Sequence, residues 1–372
     1  MLLIVVFATA VAAVAVLAFG NPHIRSIFYA LRSRNGQLSF SPTQLSGLDS
    51  TFIVLQILSK YIFKFLGQAP NLSPTSNGNG LALPPLSLEA PLKVGANDIK
   101  KFEEAVGGDK HVNYSSPLLL AAVTTPMMLI LLSNSGCPIL PFGAVNTKNR
   151  FEFLDPDACR RALQLEGADV QARLGSEDLV GRRVKRGMEF DVVIEVKANI
   201  TGSKSHRVIF RQIISILVFL PKNTKPIWTG EAGSATTPII KSFNEPEQVI
   251  DLTSDAPKAW SKVCNDINPI HMSSLAARLF GFPGKIAHGN HVVAIVIERL
   301  SGCDSKDEMH NLIWDSQTPS FVEVAFKRPM VLPVSLNTKF EVAGGGRSSN
   351  CFEVVGNDGK THIEGCWGVL NL

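Results

Sequence analysis

Asp266 and His271 stand five residues apart in the run D-I-N-P-I-H, an acid and a base close enough along the chain to share one proton. Between them, Asn268-Pro269 reads as a helix start: an Asn side chain can accept from first-turn amides, and Pro fits where its missing N–H costs nothing. His271 then lies in the first turn and Asp266 in the preceding loop, so the two side chains can converge. The helix is expected to run through Leu275, Ala276 and Leu279 and to end at Gly281 and Pro283.

A second polar cluster, Ile286-Ala287-His288-Gly289-Asn290, opens an almost wholly apolar stretch reaching Leu300. Val292, Val293, Ile295, Val296 and Ile297 make it apolar nearly all round, which predicts a buried helix. Gly289 in its first turn would let another molecule approach the backbone. The free N–H groups of a helix N-terminus would point at whatever oxygen arrives. An acid/base pair beside such an oxyanion site is a reaction constellation.

These residues resemble the motif of the MaoC-like dehydratases, the hydratase-2 branch of the hot-dog superfamily: D-x-N-P-[apolar]-H, a small-residue helix, then G-F-x-x-x-I-x-H-G. Asp266, Asn268, Pro269, His271, Gly281-Phe282 and Ile286-Ala287-His288-Gly289 match it; Ser273 stands where many members carry an acidic residue. The resemblance implies reversible interconversion of (R)-3-hydroxyacyl and trans-2-enoyl thioesters on coenzyme A or acyl carrier protein. In that reading Asp266 and His271 handle protons on a shared water, the Gly289 N–H holds the thioester oxygen, and Asn268 orients the pair. His288, Phe282 and Ile286 are candidate substrate-binding residues, with a structural role for His288, orienting the turn before Gly289, equally open. No metal or redox cofactor is required, since the substrate arrives on its carrier. Two other functions stay in play: a catalytically silent acyl-thioester-binding subunit, and a hot-dog thioesterase, which would release free acid and thiol.

The elements that must position these groups can be sought in the rest of the chain. Its 372 residues, 45% hydrophobic and 18% charged, allow two domains with ordinary cores. A net charge of +4 is too small to argue for nucleic acid, and no zinc-finger or basic-aromatic pattern occurs. Six cysteines (Cys137, Cys159, Cys264, Cys303, Cys351, Cys366) are scattered without a C-x-x-C pair and read as reduced thiols. Cys264, two before Asp266, has no nucleophile signature and reads as buried and inert.

Met1 to Phe19 holds no charged side chain. At about 1.5 Å per residue it is just long enough for a bilayer core of about 30 Å. Arg25, Arg32 and Arg34 follow it and no basic residue precedes it, which puts the body of the protein on the cytosolic side. The rival reading is a cleaved signal peptide, with a secreted or lumenal protein. Residues 51–66 pair apolar side chains with Lys60 and Lys64, suiting a helix on the membrane surface or one packed on the domain. Gly67 to Pro91, rich in Pro, Ser, Asn and Gly, reads as a linker.

Pro117 to Leu132 is a second apolar helix, too short and proline-interrupted for a span. Long β-branched and aromatic runs follow it, and more follow the catalytic helix. The resemblance makes this an α+β double hot-dog, two antiparallel sheets each wrapping a central helix. The domains expected are an anchor (1–20), a membrane-proximal helix and linker (21–90), a degenerate hot-dog (91–245) and a catalytic one (246–372). The first half lacks a D-x-N-P-x-H run and is read as shaping the substrate tunnel. Asn244 to Thr253 is expected to link the halves. Gly181 to Arg186, four basic residues in five, reads as a solvated hairpin tip, with contact to coenzyme A phosphates or acidic lipid as the alternative. Arg278 and Lys327-Arg328 are read as surface residues, with contact to a phosphate as the alternative. The triple glycine 344–346 reads as a turn and Gly356 to Gly359 as a hairpin. The partners implied are an acyl-thioester substrate and, through the N-terminal helix, a membrane; a homodimer stays open.

Overall fold

Period-two alternation becomes strand, and all-round apolarity becomes enclosed helix, throughout the computed structural model. It describes residues 20–66, 73–75, 80–107, 116–141, 144–163, 168–175, 179–184, 187–199, 206–219, 248–302, 318–341 and 349–370. In chain order the first part holds α1 (Pro22–Ala30), β1 (Asn35–Gln37), α2 (Gly47–Phe65), β2 (Ser73–Pro74), β3 (Gly80–Ala82) and β4 (Ser87–Leu92). Then come α3 (Ala96–Val106), α4 (Leu119–Ser133), β5 (Val145–Phe153), α5 (Pro156–Ala162), β6 (Ala168–Leu174), β7 (Val180–Val184), β8 (Gly187–Asn199) and β9 (His206–Phe219). The second part holds β10 (Gln248–Leu252), α6 (Ala256–Cys264), α7 (Pro269–Met272), α8 (Ser274–Leu279) and α9 (Gly289–Gly302). It closes with β11 (Ser320–Phe326), β12 (Val334–Glu341), β13 (Ser349–Gly356) and β14 (Thr361–Val369).

The strands form one continuous sheet in the order β1-β4-β6-β8-β9-β5-β11-β14-β13-β12-β10, rather than the two separate sheets expected. The two parts nevertheless repeat one plan. Each has a first strand (β4, β10), a buried helix (α4, α9), then four strands of the main path (β5, β6, β8 and β9; β11 to β14), with β7 off that path beside β8. Each orders these five strands identically outward from a common seam. That seam is β5 against β11, antiparallel from Ser320–Phe153 to Ala325–Lys148. Joining the inner edges gives both strands' amides and carbonyls partners, which removes two exposed edges. Lys148, Arg150, Glu152 and Glu323 form ion pairs on the seam, including Lys148 Nζ to Glu323 Oε1 at 2.8 Å.

Both central helices are enclosed. Leu120, Met127 and Ile130 of α4 and Val292, Val293 and Ala294 of α9 are inaccessible to solvent. Each such aliphatic side chain contributes about 1.5–3 kcal/mol on leaving water. The main apolar core runs from Ile24 to Trp367, and Ile270, Ala277 and Ile286 form a second, smaller cluster.

Four expectations need correction. The globular body begins at α1, not near Pro91: Ile24, Ile27, Phe52 and Ile57 belong to the common core. The described part of the expected linker is largely strand. Its final residues form β4, which pairs with β6 from Ser87–Arg173 to Leu92–Ala168 and buries Leu88 and Ala90 on one face. The expected connection Asn244 to Thr253 contains β10, paired with β12. In the basic run, Arg182 is not merely solvated: it grips Asp191 with both terminal nitrogens, at 2.8 and 2.9 Å. Lys185 and Arg186 lie outside the described residues, as do residues 1–19, the triple glycine and Cys303. Among the described residues no helix is long and apolar enough to cross a membrane.

Candidate active site

α6 ends at Cys264, and Asn265 turns the chain with φ 48°. This delivers Asp266 into the loop before α7. Asn268 caps α7 by accepting from the Ile270 N–H at 3.4 Å, and Pro269 takes the first helical position. The expected single helix is two, because Ser273 adopts an extended backbone (φ −138°, ψ 126°) and caps α8, accepting from Ala276 N–H at 3.3 Å. Thus the position where an acidic residue was anticipated does the work of a helix cap. Gly281, at φ 86°, stops α8. The chain then returns past His271 to α9.

Asp266, His271 and His288 meet in one place. Asp266 Oδ2 stands 3.5 Å from His288 Nε2, and one donor atom from each of the three groups lies within 4.8 Å of the others. That spacing admits a shared water or a divalent cation. The backbone N–H of Asn268 donates to Asp266 Oδ1 at 3.0 Å, so Asn268 orients the acid through its main chain. His271 Nδ1 donates to the Ile286 carbonyl at 2.8 Å, which leaves Nε2 as the free base. The His271 and His288 rings stack with centroids 3.8 Å apart. Nδ1 of His288 has no hydrogen-bond partner among the described residues, and its Nε2 faces Asp266 alone at the long distance of 3.5 Å.

The electrostatics keep Asp266 and His271 in their basic forms. Burial alone would raise Asp266, but the adjacent His288 and His271 and the Asn268 N–H outweigh it and hold the carboxyl at about 2. Burial, reinforced by neighbouring His288, lowers His271 to about 3. Cys264 is wholly buried, and desolvation pushes its thiol well above the ordinary range, as an inert cysteine requires.

Gly289 opens α9, and the amides of Gly289 and Asn290 have no acceptor within that helix, since His288 C=O is taken by His291 and Val292. The reason for glycine differs from the one anticipated. A Cβ here would lie 2.3 Å from Cε1 of Phe326, so the ring of β11 fills the space that a ligand was expected to use. Asn290 turns to the other half of the molecule, where its Oδ1 accepts from Asn149 of β5.

All seven anticipated residues line one cavity of about 520 Å³: Asp266, Asn268, His271, Phe282, Ile286, His288 and Gly289. Its other wall had no signal in the motif. Ser50, Ile53, Val54 and Ile57 of α2 supply it with Thr125, Met128 and Leu129 of α4. Exposed Lys327 and Arg328 line the same cavity, bound to Glu364 and to the Thr361 carbonyl at 2.8 Å each. Arg278 is a surface residue that donates to the Pro283 carbonyl.

Residues 240–360 match the family described as MaoC like domain. The chain carries a MaoC-like dehydratase domain. It is 27% identical to 3-hydroxyacyl-thioester dehydratase X of Mycobacterium tuberculosis over 246 residues, 65% of this chain and 75% of that protein. The crystal structure of HtdX from Mycobacterium tuberculosis matches with a TM-score of 0.55 at 20% identity, covering 76% of this chain and 100% of that one. A MaoC-like dehydratase from Phytophthora capsici matches with a TM-score of 0.56 at 13% identity, over 78% and 97% of the two chains. At these identities the structural likeness shows the fold, a hot-dog-like MaoC fold spanning both halves. The MaoC-like match itself falls on the half that holds Asp266, His271 and Gly289, in line with the motif's absence from the first half.

Proposed function

We propose that this MaoC-like protein interconverts trans-2-enoyl and (R)-3-hydroxyacyl thioesters in fatty-acid metabolism, on coenzyme A or acyl carrier protein. The observation that carries the reading is the convergence of Asp266 and His271, both basic, in a largely apolar cavity. A water donates to the Asp266 carboxylate and to His271 Nε2. As its oxygen adds to Cβ of the enoyl group it loses one proton to the pair, and the pair returns one proton to Cα. Negative charge builds on the thioester oxygen in between, where the free amides heading α9 stabilise it. General acid/base groups of this kind contribute roughly 10²–10⁴-fold each, and one oxyanion donor about 3–4 kcal/mol. The apolar walls take the acyl chain, and the exposed Lys327 and Arg328 stand where the carrier's phosphates would emerge. We place this chemistry on the cytosolic side of a membrane, held by residues 1–20, with no metal or redox cofactor required.

The test is loss of enoyl absorbance with crotonyl-CoA and a longer enoyl-CoA. It needs the full chain, because cutting at residue 90 would remove α1, α2 and part of β4 from the core. Turnover by the wild type, lost in Asp266→Asn and His271→Ala with unchanged circular dichroism, supports the hydratase. Release of free thiol instead would identify a thioesterase, and no reaction on any chain length would leave an acyl-binding subunit.

A further inference from the structure

α2 has two apolar faces, and the core uses only part of them. At about 100° per residue, Ser50, Ile53, Val54 and Ile57 share one side of the helix, and this side lines the cavity. The opposite arc carries Leu48, Leu55, Leu58, Ile62 and Phe63, with Leu66 just beyond the helix, all exposed; Leu48 is 60% and Phe63 49% accessible. A solvated helix face is ordinarily polar, and a run of large exposed apolar residues marks an interaction surface. Lys60 does not break this face: it is buried, its ammonium donating to the Leu132 and Ile139 carbonyls at 2.6 and 2.9 Å.

What covers this face follows from the chain beside it. Nineteen residues without a charged side chain, Met1 to Phe19, are separated from α1 in the sequence by only Gly20 and Asn21. α1 is tied to the first turn of α2 by His23 Nδ1, 3.3 Å from Asp49 Oδ2. Any bilayer that holds the first nineteen residues therefore lies within one short helix of the exposed arc. Exposed Tyr29, Arg25 and Arg32 on and just after α1 are residue types suited to the headgroup layer.

We infer that α2 lies on the bilayer as the wall between lipid and the acyl cavity, so that the substrates are long-chain acyl thioesters whose tails partition into the membrane. The outer arc rests among the acyl chains of the lipid, and the inner arc receives the substrate's tail. This rests on the thioester reading above for its substrate, but not for its membrane contact.

Two measurements on the full chain in phosphatidylcholine/phosphatidylserine vesicles test it. In the first, Leu58→Cys, in a background with Cys303→Ser and Cys366→Ser, carries the fluorophore NBD. Its emission should shift to the blue and be quenched by dibromo-phosphatidylcholine, whereas the same label at Val249→Cys on β10 should not respond. A label at position 58 that bromine does not quench overturns the proposal: blue emission would then mean that residues 1–19 or a second copy cover α2, and red emission that water does. In the second, the triple variant Leu55→Asp, Leu58→Asp, Phe63→Asp should turn over crotonyl-CoA like the wild type. It should lose roughly tenfold or more on trans-2-hexadecenoyl-CoA supplied in vesicles, because the apolar contact with lipid is gone. Equal losses on both substrates would overturn the role in tail transfer. Quenching without turnover of either thioester by the wild type would overturn the hydratase reading and the acyl wall, while supporting the lipid contact.

Discussion

The imidazoles of His271 and His288 stack at 3.8 Å with 27° between their planes, and His288 reaches on to Asp266 at 3.5 Å. Burial and this ring contact disfavour a charge on His271, and His288 is the imidazole whose Nε2 faces the carboxylate. Its place beside Asp266 suits a residue that positions the carboxylate. His288→Leu should raise the Asp266 pKa, because it removes the neighbour that holds the carboxyl down. The acid limb of kcat/KM should move to higher pH, with kcat falling roughly 10–100-fold. An unchanged pH profile would reduce His288 to packing.

Asp266→Asn and His271→Ala should each lower kcat/KM by roughly 10²–10⁴-fold. The double variant should lose much less than the product, because the pair acts on one water. Full additivity, measured on crotonyl-CoA, would mean that the two groups serve separate steps.

Gly289→Ala keeps the amide but drives a methyl into Phe326. A stability loss of about 1–3 kcal/mol is expected from overpacking, with turnover falling as the helix start shifts. Adding Phe326→Leu should recover both, read by urea midpoint and by kcat. Failure of that rescue would show that the glycine serves something other than the ring.

Acidification should destabilise the fold before it reaches any ordinary carboxylate. Burial also lowers His291 to about 4, where its Nε2 donates to the Ala105 carbonyl at 2.7 Å. Folded pKa values of about 3 for His271 and about 4 for His291 lie below the ordinary 6.5, so the unfolded chain takes up protons first. Their contribution is complete above 6.5 and is lost progressively as pH falls towards those values. Asp266, at about 2 against 3.8, acts in the same direction in a lower window. Urea midpoints at about pH 7.5 and about pH 5 should therefore fall with acidity, and less in His291→Gln.

Asn149 is fully buried on β5 and donates to Asn290 across the seam, while accepting from Asn146 at 3.2 Å. Asn149→Leu leaves Asn290 without this donor and should cost about 1–3 kcal/mol. Because Asn290 adjoins the oxyanion amides, kcat should fall more than KM rises.

Much of the site was legible because it is local. D-I-N-P-I-H places an acid, a cap and a base within two turns, and backbone geometry alone brings such neighbours together. The all-round apolarity of 117–132 and 292–297 determined two enclosed helices, since those stretches have no charged face to meet water. Alternation determined the long strands for the complementary reason. Spacing could not determine the break at Ser273, where a side-chain cap competes with helix continuity, or the strand formed by Ser87–Leu92, whose proline and short length mimic a linker. The β5–β11 seam, the Asn149–Asn290 contact and the α2 wall of the cavity join residues more than a hundred positions apart in the first two cases and helices from different segments in the third. No periodicity records such pairings. They exist only once the sheet has set its strand order and the leftover apolar faces have found one another, so tertiary structure alone decided how deep the cavity is and what encloses it.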